Sequence, residues 1–94
     1  MGYEIIEVND KVLEHFEKVK HLIQNKIPAK FEEPRITKVW VSTEGYHDVY
    51  YQIHLETKDH HHHVHHWTVL YEVKGQHAGH VELKDIHEGF KSFI

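Results

Sequence analysis

Asp59-His60-His61-His62-His63-Val64-His65-His66-Trp67-Thr68-Val69-Leu70-Tyr71-Glu72-Val73 is the stretch on which the reading of this chain turns. Six of its first eight residues are histidine. After them Trp67, Val69, Tyr71 and Val73 alternate with His66, Thr68, Leu70 and Glu72, the period-two pattern of a strand with one buried face. Just upstream, Val49, Tyr51, Ile53 and Leu55 alternate in the same way with Tyr50, Gln52, His54 and Glu56. The polar run at 57–62 between two such strands predicts a hairpin turn and antiparallel pairing. Histidines that offer donor atoms therefore sit where the backbone must reverse, and packing and function meet in one place.

Working outward from that hairpin, residues 35–43 read as a strand with Val39 and Val41 on one side, while Ile36 and Trp40 break its pattern. Residues 44–48 contain Gly45 and predict a turn or bulge; residues 29–34 form a connector. Before them Val12, Phe16, Val19, Ile23 and Ile27 recur at steps of three and four, with Leu13 and Leu22 widening the stripe. That is one apolar face along about four helical turns, with Glu14, Lys18, His21 and Asn25 opposite. Asn9-Asp10 supplies an acceptor for the free amides at the helix start, and Pro28 stops the helix. Residues 3–8 alternate weakly, as a short strand. Downstream, residues 74–79 hold two glycines and predict a turn. Val81 and Leu83 face the core of a last strand with His80, Glu82 and Lys84 outside, and residues 85–94 extend it or form a tail around Phe90 and Phe93. The expected fold is α+β, with one N-terminal amphipathic helix packed across a four- or five-stranded antiparallel meander sheet. No repeat or linker interrupts residues 1–94, which read as a single domain.

Composition narrows the function. A net charge of −4 with histidines neutral lacks the basic face that nucleic acid requires. The absence of cysteine excludes disulfides, thiolate metal sites and cysteine nucleophiles. No apolar run approaches the ~18 residues of a membrane span, and no leader pattern opens the chain, so a cytoplasmic location and no membrane partner are expected. Ser42 and Ser92 are the only serines, and neither lies in a nucleophile elbow. Phosphate loops, HExxH and dinucleotide fingerprints are missing as well. The expectation is a non-enzymatic binding domain.

Thirteen histidines need an account of their own. The tract at 60–66 is dense enough to offer imidazoles to zinc, nickel or copper, although a structural zinc site wants four fixed ligands. A more specific set lies on the outer sheet face. His54 and His66 share strand parity and should be opposite or diagonal, with Glu56 beside them and His80 and Glu82 on the next strand. The candidate metal ligands are thus His54, Glu56, His61, His63, His65 and His66. Outward strand positions also need polar residues for no functional reason, and His63 and His65 edge the core, where a satisfied histidine is commoner than a ligand. A third reading needs no metal: histidines titrate near pH ~6.5, and crowding six in one turn makes that hairpin acid-sensitive. His15, His21, His77 and His87 are expected to face solvent.

The segment Val49-Tyr50-Tyr51-Gln52-Ile53-His54-Leu55-Glu56-Thr57-Lys58-Asp59 resembles the cystatin-family strand that carries a Tyr-Tyr pair after the first inhibitory hairpin. Residues 67–73 resemble the next strand of that family and residues 78–90 the last, and the likeness is to the disulfide-free stefin and plant types. It spans most of the chain at low similarity. The resemblance implies a cystatin-like fold that wedges its N-terminus and two hairpins into the cleft of a papain-like cysteine protease. By position it implies Gly2, then Thr43, Glu44, Gly45, Tyr46 and His47, then Lys74, Gly75 and Gln76 as the partner-binding residues. The chain departs from the family's Gln-x-Val-x-Gly hairpin: Gly45 keeps the glycine, Val41 stands for the glutamine and Thr43 for the valine. Gly45 also lies two residues further from the Tyr-Tyr pair, and Lys74-Gly75-Gln76-His77 lacks the proline or tryptophan of the second hairpin. Glu44, His47 and Asp48 would lose water at a cost on entering an apolar cleft, whereas Tyr46 suits an anchor. A plainly solvated turn is the alternative. Hairpins of this family exchange between chains, so the expectation is a monomer or a strand-exchanged dimer.

Overall fold

A computed structural model describes residues 2–27, 30–42, 48–75 and 79–94. The elements run β1 (Tyr3–Ile6), α1 (Asp10–Lys26), β2 (Glu32–Ser42), β3 (Val49–Lys58), β4 (Val64–Lys74) and β5 (His80–Glu88). The strands form one sheet in the order β1-β2-β3-β4-β5, and every neighbouring pair is antiparallel. This is the α+β meander with five strands.

Local chemistry explains the limits of α1. The Asn9 side chain accepts the Val12 N–H at 2.9 Å, satisfying one of the amides that a helix start leaves free. Ile27 is extended, as the residue before a proline prefers. Val12, His15, Phe16, Val19 and Ile23 are the buried residues of the helix. Two expectations fail here. Leu13 is 47% exposed and does not widen the stripe, whereas Leu22 packs against the core as expected. His15 does not face solvent; it is 1% exposed, because position 15 lies three residues from Val12 and four from Val19 on the same face.

The helix residues share one apolar core with Val39 of β2, Tyr51, Ile53 and Leu55 of β3, Trp67, Val69, Tyr71 and Val73 of β4, and Val81 of β5. Register brings these positions together: Tyr51 pairs with Tyr71, Ile53 with Val69 and Leu55 with Trp67. A slip of one residue would send every one of these side chains to the opposite face, so the alternating pattern specifies the pairing.

β2 starts at Glu32, inside the stretch expected as a connector. It tolerates Pro34 because β1 reaches only Val39 to Ser42, leaving the first half of β2 at an edge that needs no donor there. A register shift between Glu32 and Arg35, with Glu33 at φ 49°, absorbs the irregularity. Residues 85–94 fulfil both expectations. β5 continues to Glu88, and Gly89 at φ 89° then turns the chain, its N–H donating to the His66 carbonyl at 2.7 Å. Among the described residues no helix is long and apolar enough to cross a membrane.

Candidate functional site

Antiparallel register sorts the candidate residues to opposite ends of the sheet. β1 begins at Tyr3 opposite Ser42, the last residue of β2, while Val49 pairs with Val73 and His80 with Lys74. The start of the chain and the connections after β2 and β4 therefore leave from the same end. Asp48 accepts the Gly75 N–H at 3.3 Å, tying one connection to the other. Gly75 adopts φ 78°, a conformation glycine takes without cost. Lys74 lies 3.0 Å from Glu82, and Lys84 lies 3.1 Å from Glu82 and 3.3 Å from Glu72. Those ammonium groups hold the Glu82 carboxyl below its usual range, and hydrogen bonding to Glu72 raises the Tyr50 phenol. Gly2, Lys74 and Gly75 stand at this end; Thr43, Glu44, Gly45, Tyr46, His47 and Gln76 lie outside the described residues.

At the other end the histidine-rich turn is organised by Asp59. The His62 N–H donates to the Asp59 carbonyl at 2.9 Å and the Asp59 N–H to the His63 carbonyl at 3.0 Å, with His62 at φ 64°. Asp59 Oδ1 accepts the N–H groups of His61 at 2.8 Å and His63 at 3.0 Å, the way aspartate holds a turn. Its other oxygen is 3.0 Å from His65 Nε2 and 3.7 Å from His63 Nδ1. His65 Nδ1 in turn lies 3.5 Å from Glu88 at the end of β5. His65 thus bridges two carboxylates. Its bond to Asp59 raises the His65 pKa and holds the Asp59 carboxyl well below the usual carboxylate range. Beside the bridge, Trp67 Nε1 donates to Thr57 Oγ1 at 2.9 Å.

The predicted metal ligands do not converge. His54 pairs with Thr68 and His66 with Glu56, so the two histidines are diagonal. The Phe90 ring stacks on His54 with centroids 4.4 Å apart and lies 5.3 Å from His66. Glu56 is engaged by Arg35 at 3.4 Å. His61 and His63 are exposed on the turn, and His65 is taken up by its carboxylates. Among the described residues, no three or more of the histidines and acidic side chains form a group arranged to hold a metal ion.

Reasoning from sequence missed three features. Asp59 was legible as an aspartate opening a turn. His15 was legible at helical spacing, but its polarity hid it. Its Nδ1 lies 3.2 Å from the Tyr71 hydroxyl, its ring meets Tyr51 and Tyr71 edge-on, and its Nε2 is buried without a partner among the described residues. Burial, and then Lys11, lowers its pKa. The third feature, the seating of residues 89–94 on the outer sheet face, had no local signal. Compared with known proteins, the chain matches no family model, no curated protein and no solved structure.

Proposed function

We propose that this is a non-enzymatic, cystatin-like protein-binding domain, its helix lying across the sheet and its partner met at the end where Gly2 and the connections 43–48 and 74–79 gather. The observation that supports this reading is that common exit, with Asp48 bonded to Gly75 across it. Gly2, Asp48, Lys74 and Gly75, the described residues at that end, are close in the fold, and contacts presented from one sheet end lower the ordering cost of binding. A papain-like cysteine protease is the partner that the sequence resemblance implies, with Tyr46 as the anchor. Titration of papain tests it. Inhibition should be present and should fall at least tenfold when residues 43–47 are replaced together by glycine. Tight inhibition that survives the replacement, or none at all, removes the reading.

The His65 bridge favours a second reading, in which the histidine-rich end responds to pH; the density of imidazoles in the sequence is what suggests zinc, nickel or copper there. An Asp59→Asn chain tests it. The pH dependence of unfolding and any calorimetric metal binding should both change, and if neither does, the tract is a solvated turn.

A further inference from the structure

Among the described residues, the outer face of the sheet carries three polar side chains as buried as the core: Glu72 at 4% exposure, which is paired with Lys84, and Gln52 at 2% and Thr68 at 0%. Burying such groups is unfavourable unless they are bonded, and Gln52 and Thr68 bond the main chain of residues 89–94. Thr68 Oγ1 donates to the Gly89 carbonyl at 2.8 Å and accepts the Lys91 N–H at 3.0 Å. Gln52 Oε1 accepts the Phe93 N–H at 2.8 Å. Since Thr68 is on β4 and Gln52 on β3, the segment runs across the strands with alternate amides turned to the sheet. Phe90 stacks on His54, yet 65% of it remains exposed. Beyond it a cleft of about 310 Å³ stays open between Trp40, Gln52, His54 and Ile94, with the Trp40 ring edge-on to His54 at 4.6 Å. That volume is at the lower end of what small binding clefts enclose.

We propose that this face is a binding groove for an extended peptide segment of a partner protein, and that Gly89-Phe90-Lys91-Ser92-Phe93-Ile94 occupies it in cis as a displaceable surrogate. The resident segment defines the chemistry of the partner. An aromatic side chain stacks on His54, the amides one and three residues later meet Thr68 and Gln52, and an apolar side chain lines the Trp40 cleft. Main-chain bonds supply affinity that is independent of sequence, and the aromatic platform supplies selectivity. Attachment gives the resident segment a high effective concentration, so a partner binds well only where that segment is loosened. This groove lies on a face of the sheet, apart from the sheet end proposed above, and the two stand or fall separately.

The test uses a labelled Gly-Phe-Lys-Ser-Phe-Ile peptide titrated into the whole wild-type chain and a whole Phe90→Ala chain. The variant should bind the peptide at least tenfold more tightly than wild type, and a peptide with alanine in place of its first phenylalanine should bind neither. Adding Gln52→Ala to the variant should weaken binding again. Absence of binding at millimolar peptide, or binding indifferent to that phenylalanine, overturns the proposal. So does association of the variant with itself in place of the peptide, which would assign the face to a second copy. Should Phe90→Ala fail to fold, a whole Phe90→Leu chain, in which the ring stack is lost but an apolar side chain is kept, decides by nuclear magnetic resonance with millimolar peptide. Shifts confined to the Gln52 side-chain amide and the Trp40 indole sustain the groove, and unmoved signals refute it.

Discussion

On one face of the sheet Ile53 pairs with Val69 and Leu55 with Trp67, and these join α1 in a core of apolar side chains. On the other face the intervening residues Gln52, His54 and Thr68 are equally central, yet they meet a six-residue segment through three hydrogen bonds and a ring stack. Hydrophobic burial is non-directional and sums over area, so the first face tolerates exchange of shape for shape. Hydrogen bonds are directional and have partners, so the second face depends on where its segment lies. One face is a foundation and the other a fitting. On the first face's side the buried polar groups are Thr57, bonded to Trp67, and the titratable ring of His15 on α1, set against Tyr51 and Tyr71.

The largest difference should come from matched substitutions on adjacent residues of β3. Ile53→Ala removes methyl groups from a fully buried site and should cost about 2–5 kcal/mol in urea unfolding. Gln52→Ala should cost about 1 kcal/mol, because the Phe93 amide it leaves behind can turn to water. If the two costs are equal, the outer face is a second core and the comparison breaks.

Smaller effects depend on pH and run in opposite directions. His15 and His54 have lowered pKa values, chiefly from burial, so the unfolded chain takes up protons first and stability should fall as pH drops below 6.5. A His15→Leu chain should lose less stability than wild type between pH 7 and pH 5.5. His65 has a raised pKa, so its bridge is fully present below 6.5 and is lost as pH rises through the folded value. Unfolding midpoints of His65→Gln should therefore converge with those of wild type at alkaline pH and separate below neutrality. The smallest effect belongs to Leu13→Glu, which should change stability by no more than about 0.5 kcal/mol because that side chain already meets water.

Much of the inner face was legible. Alternation from Val49 to Leu55 and from Trp67 to Val73 encodes both strands and, through parity, which side is buried. The helix was legible from its spacing, although the pattern overstated Leu13 and passed over His15, since apolarity is an average preference and position on the face decides burial. The candidate ligands show the converse. Parity placed His54 and His66 on one face and register made them diagonal, as expected, but Phe90, 24 residues downstream of His66, stacks on His54 and lies beside His66. A contact of that kind leaves no periodic trace.

What the chain determines by itself is local and periodic: a capped helix of 17 residues, strands that alternate, and turns at aspartate and glycine. Backbone hydrogen bonding and side-chain period act within a few residues, so they can be read in order. What the tertiary structure decided is which distant groups meet. His65 lies between Asp59 and Glu88, His15 lies against Tyr71, and Gln52 and Thr68 lie beneath the backbone of residues 89–94. The contacts of residues 89–94 depend on the turn at Gly89 and the others on strand register and helix packing, and those follow from packing the whole sheet at once.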